Sequence, residues 1–246
     1  MDCVSGGLRT KGIIKQNLEN LVSIVTVVYN AQDLLEKTIL SVLEQDYENM
    51  EYIIIDGGSN DKTLEIIEKY SDRIDYYISE KDKGIKYAKG RWINFMNAGD
   101  IFKHKSVLSD IFSEKIDPKS AVICGCYEFD TIKGVFFPER QLELVKYGNL
   151  LTLHQSMFFN AEILKEDIFY DVNFKISADN DMMMRLVKHK YLVHFSAVVV
   201  CVFDMTGISS RAHNRLEKYQ IIYKNFGILG VFKALLFNRI CMVGVK

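Results

Sequence analysis

The chain has 246 residues, 48% hydrophobic and 26% charged, the make-up of a globular protein that buries a sizeable core as one large domain or two small ones. Its formal net charge of -1 gives no basic surface of the kind nucleic acid demands, so no nucleic-acid partner is expected, and only the last third leans basic. Five cysteines (Cys3, Cys124, Cys126, Cys201, Cys241) form no even framework and no paired CxxC sites, which favours reduced thiols over disulfides or zinc.

The first residues, "MDCVSGGLRTKG", lack the apolar core of a signal peptide, and no run approaches the roughly 20 apolar residues of a membrane span. The expected location is the cytoplasm. From Leu21 onward, strands and helices alternate. "LVSIVTVVYN" is a β-branched run that reads as a buried parallel strand. "DLLEKTILSVLEQ" carries Leu34, Leu35, Ile39, Val42 and Leu43 at helical spacing. "EYIIID" is a second strand, closed by "GGSNDKT", whose Ser, Asn and Asp are natural helix caps. A helix "LEIIEKY", a strand "DYYISE" and a strand "RWINFMN" follow. This βαβ order predicts an α/β fold, a Rossmann-like, mostly parallel sheet with helices on both faces.

Past residue 120 the texture changes. "AVICGCYEFD" and "GVFFP" read as a hairpin, "LHQSMFF" as a strand, "ADNDMMMRLVKHK" as a helix and "YLVHFSAVVVCVFD" as a long strand. The expected division is a nucleotide-binding half (21–120), a smaller mixed acceptor half (121–210) on the same core, and a helical end (211–246).

Ligands of an open α/β sheet bind beyond the carboxyl ends of its strands. The candidates there are Tyr29 and Asn30 after the first strand, residues 56–61 after the second and residues 97–100 after the fourth. "VVYNAQDL" contains no glycine, which rules out the dinucleotide fingerprint, and no P-loop occurs. The same loop lacks the Gly-rich, Arg/Lys-bearing segment expected of a nucleotidyltransferase.

"SIVTVVYNA", "EYIIIDGGSNDKT", "GRWINFMNAGD", "HQSMFF" and "ADNDMMMRL" together resemble, in order, the landmarks of family 2 glycosyltransferases with the GT-A fold, closest to bacterial enzymes that build surface polysaccharides. The resemblance implies an inverting transfer from a nucleotide sugar, taken as a UDP-sugar, to a glycan or lipid-linked acceptor. It assigns the nucleotide to Thr26, Tyr29, Asn30, Asp56, Ser59 and Asp61. Asn30, Ser59 and Asp61 read equally well as helix caps.

Residues 97–100 stand where relatives carry an Asp-x-Asp pair that meets the sugar nucleotide and ligates Mg²⁺ or Mn²⁺. Here Asn97 takes the first acidic position and Gly99 the usual ligand position, which leaves Asp100 to reach a metal; a hard cation often needs only one or two carboxylates besides phosphate. Asp179, opening a helix, stands at the place of the family's catalytic base, with Asp181 as an ordinary first-turn charge. His154 and Gln155 are assigned to the acceptor side. Relatives also place a longer segment, similar to "GIYDAMNKGI", over the donor, where this chain has only "EKDKGIKYAKG". The short segment and altered metal motif also suit an alternative, a catalytically impaired scaffold docked to a membrane assembly. The apolar and basic end "NFGILGVFKALLFNRICMVGVK" suits a peripheral helix at a membrane surface as well as a packed terminal helix.

Overall fold

In the computed structural model, residues 4–15, 20–80, 84–206 and 215–243 are described. A short edge strand, β1 (Val4–Gly6), precedes β2 (Val22–Val28), α1 (Leu35–Leu43), β3 (Met50–Asp56), α2 (Thr63–Lys69), β4 (Tyr76–Ser79) and β5 (Trp92–Phe95). After these come β6 (Ile101–Phe102), α3 (Val107–Ser113), β7 (Ser120–Phe129), β8 (Met157–Asn160), α4 (Ala161–Leu164), α5 (Ala178–Lys188), β9 (Leu192–Phe203) and α6 (Arg215–Val243). All nine strands join one sheet in the order β1-β4-β3-β2-β5-β8-β7-β9-β6. The run β4-β3-β2-β5 is parallel, β8 lies antiparallel to both of its neighbours, and β7 and β9 are parallel.

Every residue of β3 is buried, as a central strand covered on both faces requires. One face of the sheet packs against α1, α2 and α3 through Leu35, Ile39, Ile67, Leu108 and Ile111. The other packs against α5 and α6 through Met182, Met183, Leu186, Ile221 and Ile222. Helices on both faces of a mostly parallel sheet are what the alternation of strands and helices predicts.

Three details differ from the expectation. "GVFFP" forms no strand: Phe136 makes one isolated bridge to Tyr127, stacking on its ring with centroids 5.4 Å apart. "LHQSMFF" starts as a single 3₁₀ turn, His154–Ser156, before β8 begins at Met157. The short link from β4 to β5 uses a 3₁₀ turn, Gly84–Tyr87, in place of a crossover helix. It then passes under the amino ends of β2 and β3, where Lys89 N–H donates to Glu51 and Gly90 N–H donates to Ser23 Oγ. A side chain at Gly90 would lie 2.7 Å from the Leu21 carbonyl, so glycine permits this close crossing.

Asp181 is a knot rather than a surface charge. It is fully buried, 2.9 Å from Lys224 Nζ and 3.1 Å from Arg185 Nε, and accepts a hydrogen bond from Asn225 Nδ2 at 2.9 Å. Glu217 reinforces the same contact between α5 and α6 by accepting the N–H groups of Lys175, Ile176 and Ser177. Removing one partner of a buried ion pair leaves the others uncompensated, at a cost of ~3–5 kcal/mol. Asp181→Ala is therefore expected to lower the unfolding free energy measured in urea by that amount while leaving the far-UV spectrum intact; an unchanged midpoint refutes the assignment.

Candidate active site

The carboxyl ends of β2, β3, β5 and β9 and the amino end of β8 lie along one edge of the sheet, so residues far apart in the chain meet there. They fall into three groups.

The first group joins the loops after β2 and β3. Asn30, in the left-handed region at φ 48°, donates its N–H to Ser59 Oγ and accepts from Asn60 N–H. Asp61 accepts the N–H groups of Gln32 and Thr63, so it caps α2 and ties it to the neighbouring loop. Burial pushes the Asp61 carboxyl up, but these bonds outweigh it and hold it below the usual value.

Asp56 is turned into its own loop: it is fully buried and accepts from Ser59 N–H, Ser59 Oγ and Ser79 Oγ, so both oxygens shape the loop. Thr26 is turned inward likewise: it is buried, donates to the Met96 carbonyl and lies 3.0 Å from the Tyr52 hydroxyl. Periodicity marks a strand end but not which side chains remain open there. Tyr29 does remain open. Its ring is 62% exposed and borders the space over Gly57.

The second group is a chain of three side chains. His154 Nδ1 stands 3.5 Å from Asp179 Oδ2, and His154 Nε2 stands 2.9 Å from Asn97 Nδ2. The ring thus faces the Asn97 amide on one side and the Asp179 carboxylate on the other. Burial pushes the Asp179 carboxyl up, but His154 and the N–H groups of Asn180 and Asp179 hold it below the usual carboxylate value. The sequence-predicted base, acceptor-side histidine and donor-motif asparagine thus touch one another.

The third group surrounds Asp100, which is 3% exposed. Its Oδ1 accepts from Asp204 N–H at 2.8 Å and its Oδ2 from Gln155 Nε2 at 2.6 Å. Gln155 is itself fully buried, so it braces the turn and does not line an open acceptor surface. Gly99, at φ 104°, has Asp204 packed where a side chain would go, its Oδ2 3.2 Å from that position. Asp204 in turn pairs with Lys37 Nζ at 2.5 Å and accepts from Thr206. Thr38 Oγ1 donates to the Asp100 carbonyl and accepts from Gly99 N–H.

Asp204, Lys37 and Thr38 escape the sequence reading. The one signal is that Asp204 closes a buried strand, as Asp56 does.

The metal assigned to Asp100 does not suit this arrangement. Both carboxylate oxygens are committed to protein donors, Asn97 is bonded to His154, Gly99 offers no ligand and Asp204 already holds an ammonium. Among the described residues, no group of three His, Cys, Asp or Glu side chains is placed to hold an ion. The residues present do not fit a divalent cation.

Burial pushes the Asp100 carboxyl up to about 6, against the pull of the Asp204 N–H, Gln155 and His154. The buried Gln155 Oε1 meets no partner among the described residues, and a turned amide would accept from a protonated Asp100. A folded-state value above the unfolded one means that the fold binds the extra proton. Stability from this group is therefore full below about pH 4 and is lost as pH rises to about 6, by about 3 kcal/mol. Asp100→Asn removes this dependence. Urea unfolding at pH 4.5 and 7.5 is expected to show the variant gaining on the parent at the higher pH; a constant difference refutes it.

The profile of Glycosyl transferase family 2 matches residues 23–178. An uncharacterized glycosyltransferase of Rickettsia typhi is 28% identical over 235 residues, covering 87% of this chain and 74% of that protein. The putative teichuronic acid biosynthesis glycosyltransferase TuaG of Bacillus subtilis is 35% identical over 99 residues, 35% of this chain and 39% of that one. Among solved structures, S. aureus TarS residues 1–349 with UDP-GlcNAc superposes with a TM-score of 0.65 at 19% identity, over 81% of this chain and 64% of that one. The mannosyltransferase PcManGT of Pyrobaculum calidifontis, with GDP-Man and Mn²⁺, gives 0.59 at 14% identity, over 88% of this chain and 74% of that one. The profile covers more than half of the chain and the solved structures share its architecture: the chain belongs to glycosyltransferase family 2, with the GT-A fold.

Proposed function

We propose that the protein is an inverting glycosyltransferase that moves a sugar from a UDP-sugar to a hydroxyl of a glycan or lipid-linked oligosaccharide in surface-polysaccharide synthesis. The observation that carries this reading is Asp179, ionised at neutral pH and joined through His154 to Asn97 of the donor motif. In this reading residues 21–120 hold the nucleotide and residues 121–210 hold the acceptor.

The exposed Tyr29 ring at the end of β2 is a platform on which a base can stack. The TarS complex with UDP-GlcNAc supports uridine as that base, and the teichuronic acid role in the name of TuaG supports a polysaccharide acceptor.

The proposed chemistry is a single displacement. An acceptor hydroxyl bonded to Asp179 attacks the anomeric carbon as the bond to the nucleoside diphosphate breaks. Its proton passes to the carboxylate while the leaving oxygen takes the bonding electrons. Attack from the face opposite the leaving group inverts the anomeric configuration. His154, between Asn97 and Asp179, holds the carboxylate towards the acceptor.

α6 is long and apolar enough, by length and composition, to cross a membrane, contrary to the expectation from the sequence. It is broken at Gly227, however, and each piece is shorter than the roughly 20 residues a span needs. Its second piece packs one face, with Ala234 buried and Phe237 stacked on Tyr147 at 4.8 Å. The other face leaves Ile228, Leu229, Phe232, Leu235 and Leu236 exposed beside Lys233 and Arg239. Such a face suits a peripheral contact with an anionic membrane bearing a lipid-linked acceptor.

Asp179→Asn is expected to preserve folding and donor binding and to lower transfer ~10²–10⁴-fold, read as nucleoside diphosphate released across a panel of nucleotide sugars. Near-normal turnover in the variant removes Asp179 as the base. A parent protein that binds and turns over no nucleotide sugar is the scaffold instead.

Replacing Leu229, Phe232 and Leu236 by Gln is expected to abolish sedimentation with anionic liposomes while leaving the melting temperature within a few degrees. Equal sedimentation of parent and variant refutes the membrane contact.

A further inference from the structure

The turn at 97–100 has neither of the two acidic positions of the pattern it resembles, so it lacks two negative charges. What stands there instead is a carboxylate from the end of β9 and an ammonium from α1. Asp204 Oδ2 lies 3.2 Å from where a side chain at 99 would begin, and Lys37 Nζ lies 2.5 Å from that oxygen. The ammonium therefore sits one carboxylate away from the point at which an ion held by residue 99 would be found.

Lys37 is also oddly placed for stability alone. It occupies the first turn of α1, where the helix dipole disfavours a cation. Its side chain is 45% exposed, so its head can leave Asp204 for an incoming anion without leaving the site edge. A lysine head is a mobile point charge well suited to phosphate oxygens.

The geometry points to Lys37 as the group that meets the donor's diphosphate, in a transferase whose donor binding requires no divalent ion. Asp204 is the positioning residue that holds the lysine at the turn when no donor is bound. The inference rests on the donor reading above, and its test separates the two.

The experiment is calorimetric titration of UDP, with GDP alongside, into the full chain in EDTA and again in MnCl₂, with free Mn²⁺ followed by its paramagnetic resonance. The expected result is a UDP dissociation constant that agrees within about threefold between the two buffers, with no Mn²⁺ taken up. Lys37→Met is expected to weaken UDP about tenfold or more in EDTA, and Lys37→Arg to retain most of the affinity.

Because Lys37→Met leaves Asp204 without its partner, the double variant Lys37→Met/Asp204→Asn is measured as well. It is expected to fold as the parent does and to bind UDP as weakly as the single variant. UDP binding that requires Mn²⁺, or parent-like affinity in the double variant, overturns the role of Lys37 and leaves the donor reading standing. No binding of either nucleotide in either buffer overturns both.

Discussion

Four stretches of chain that share no local sequence are tied at one residue, Asp100. Asp100 accepts from the backbone of Asp204 beyond β9 and from the side chain of Gln155 before β8, while its own carbonyl receives Thr38 of α1. β5 ends where this turn begins. Desolvating a carboxylate is costly unless its oxygens are met by donors, so the ends of these elements must arrive together or the turn is unstable. The site edge gains its definition from that requirement.

The second consequence of the knot is order. Gln155 braces Asp100, and its neighbour His154 is thereby carried to Asn97 and Asp179. The histidine bridging the donor motif and the ionised Asp179 thus stands on a segment whose position is set by a buried hydrogen bond. Groups that must hold a geometry to within a fraction of an ångström are best supported in this way, by neighbours with no freedom of their own.

Much of the fold was legible because it is written in local patterns. The β-branched runs of β2 and β3 and the helical spacing of Leu35, Ile39 and Val42 specify elements, and their alternation specifies a parallel sheet. Residues 97–100 were legible as site candidates because polar residues ending an apolar strand mark an edge, whereas Asp179 and His154 were singled out by the family resemblance of the segments that carry them. The inward turn of Thr26 and Asp56 was not legible, because a strand end can turn its polar groups inward as readily as outward. Lys37 and Asp204 were invisible, since their pairing joins residues 167 positions apart and neither carries a motif. "GVFFP" has strand-like composition, but Phe136 stacks on Tyr127 and meets Phe129 edge-on while Phe137 stays exposed, so its apolar residues make no ladder.

Gly227 carries a consequence for the geometry of the whole chain. Its φ of 66° and ψ of -169° belong to a region that only glycine occupies readily, so the bend in α6 is set by stereochemistry and not by the packing around it. Two helical pieces joined through such a residue behave as a bracket with a fixed angle. The first piece is bolted to α5 by Lys224 and Asn225, and the second inherits its direction from the bend. The tilt between the site edge of the sheet and the apolar outer face of the second piece is thus encoded in a single achiral residue, and any residue with a Cβ at 227 would re-aim one relative to the other.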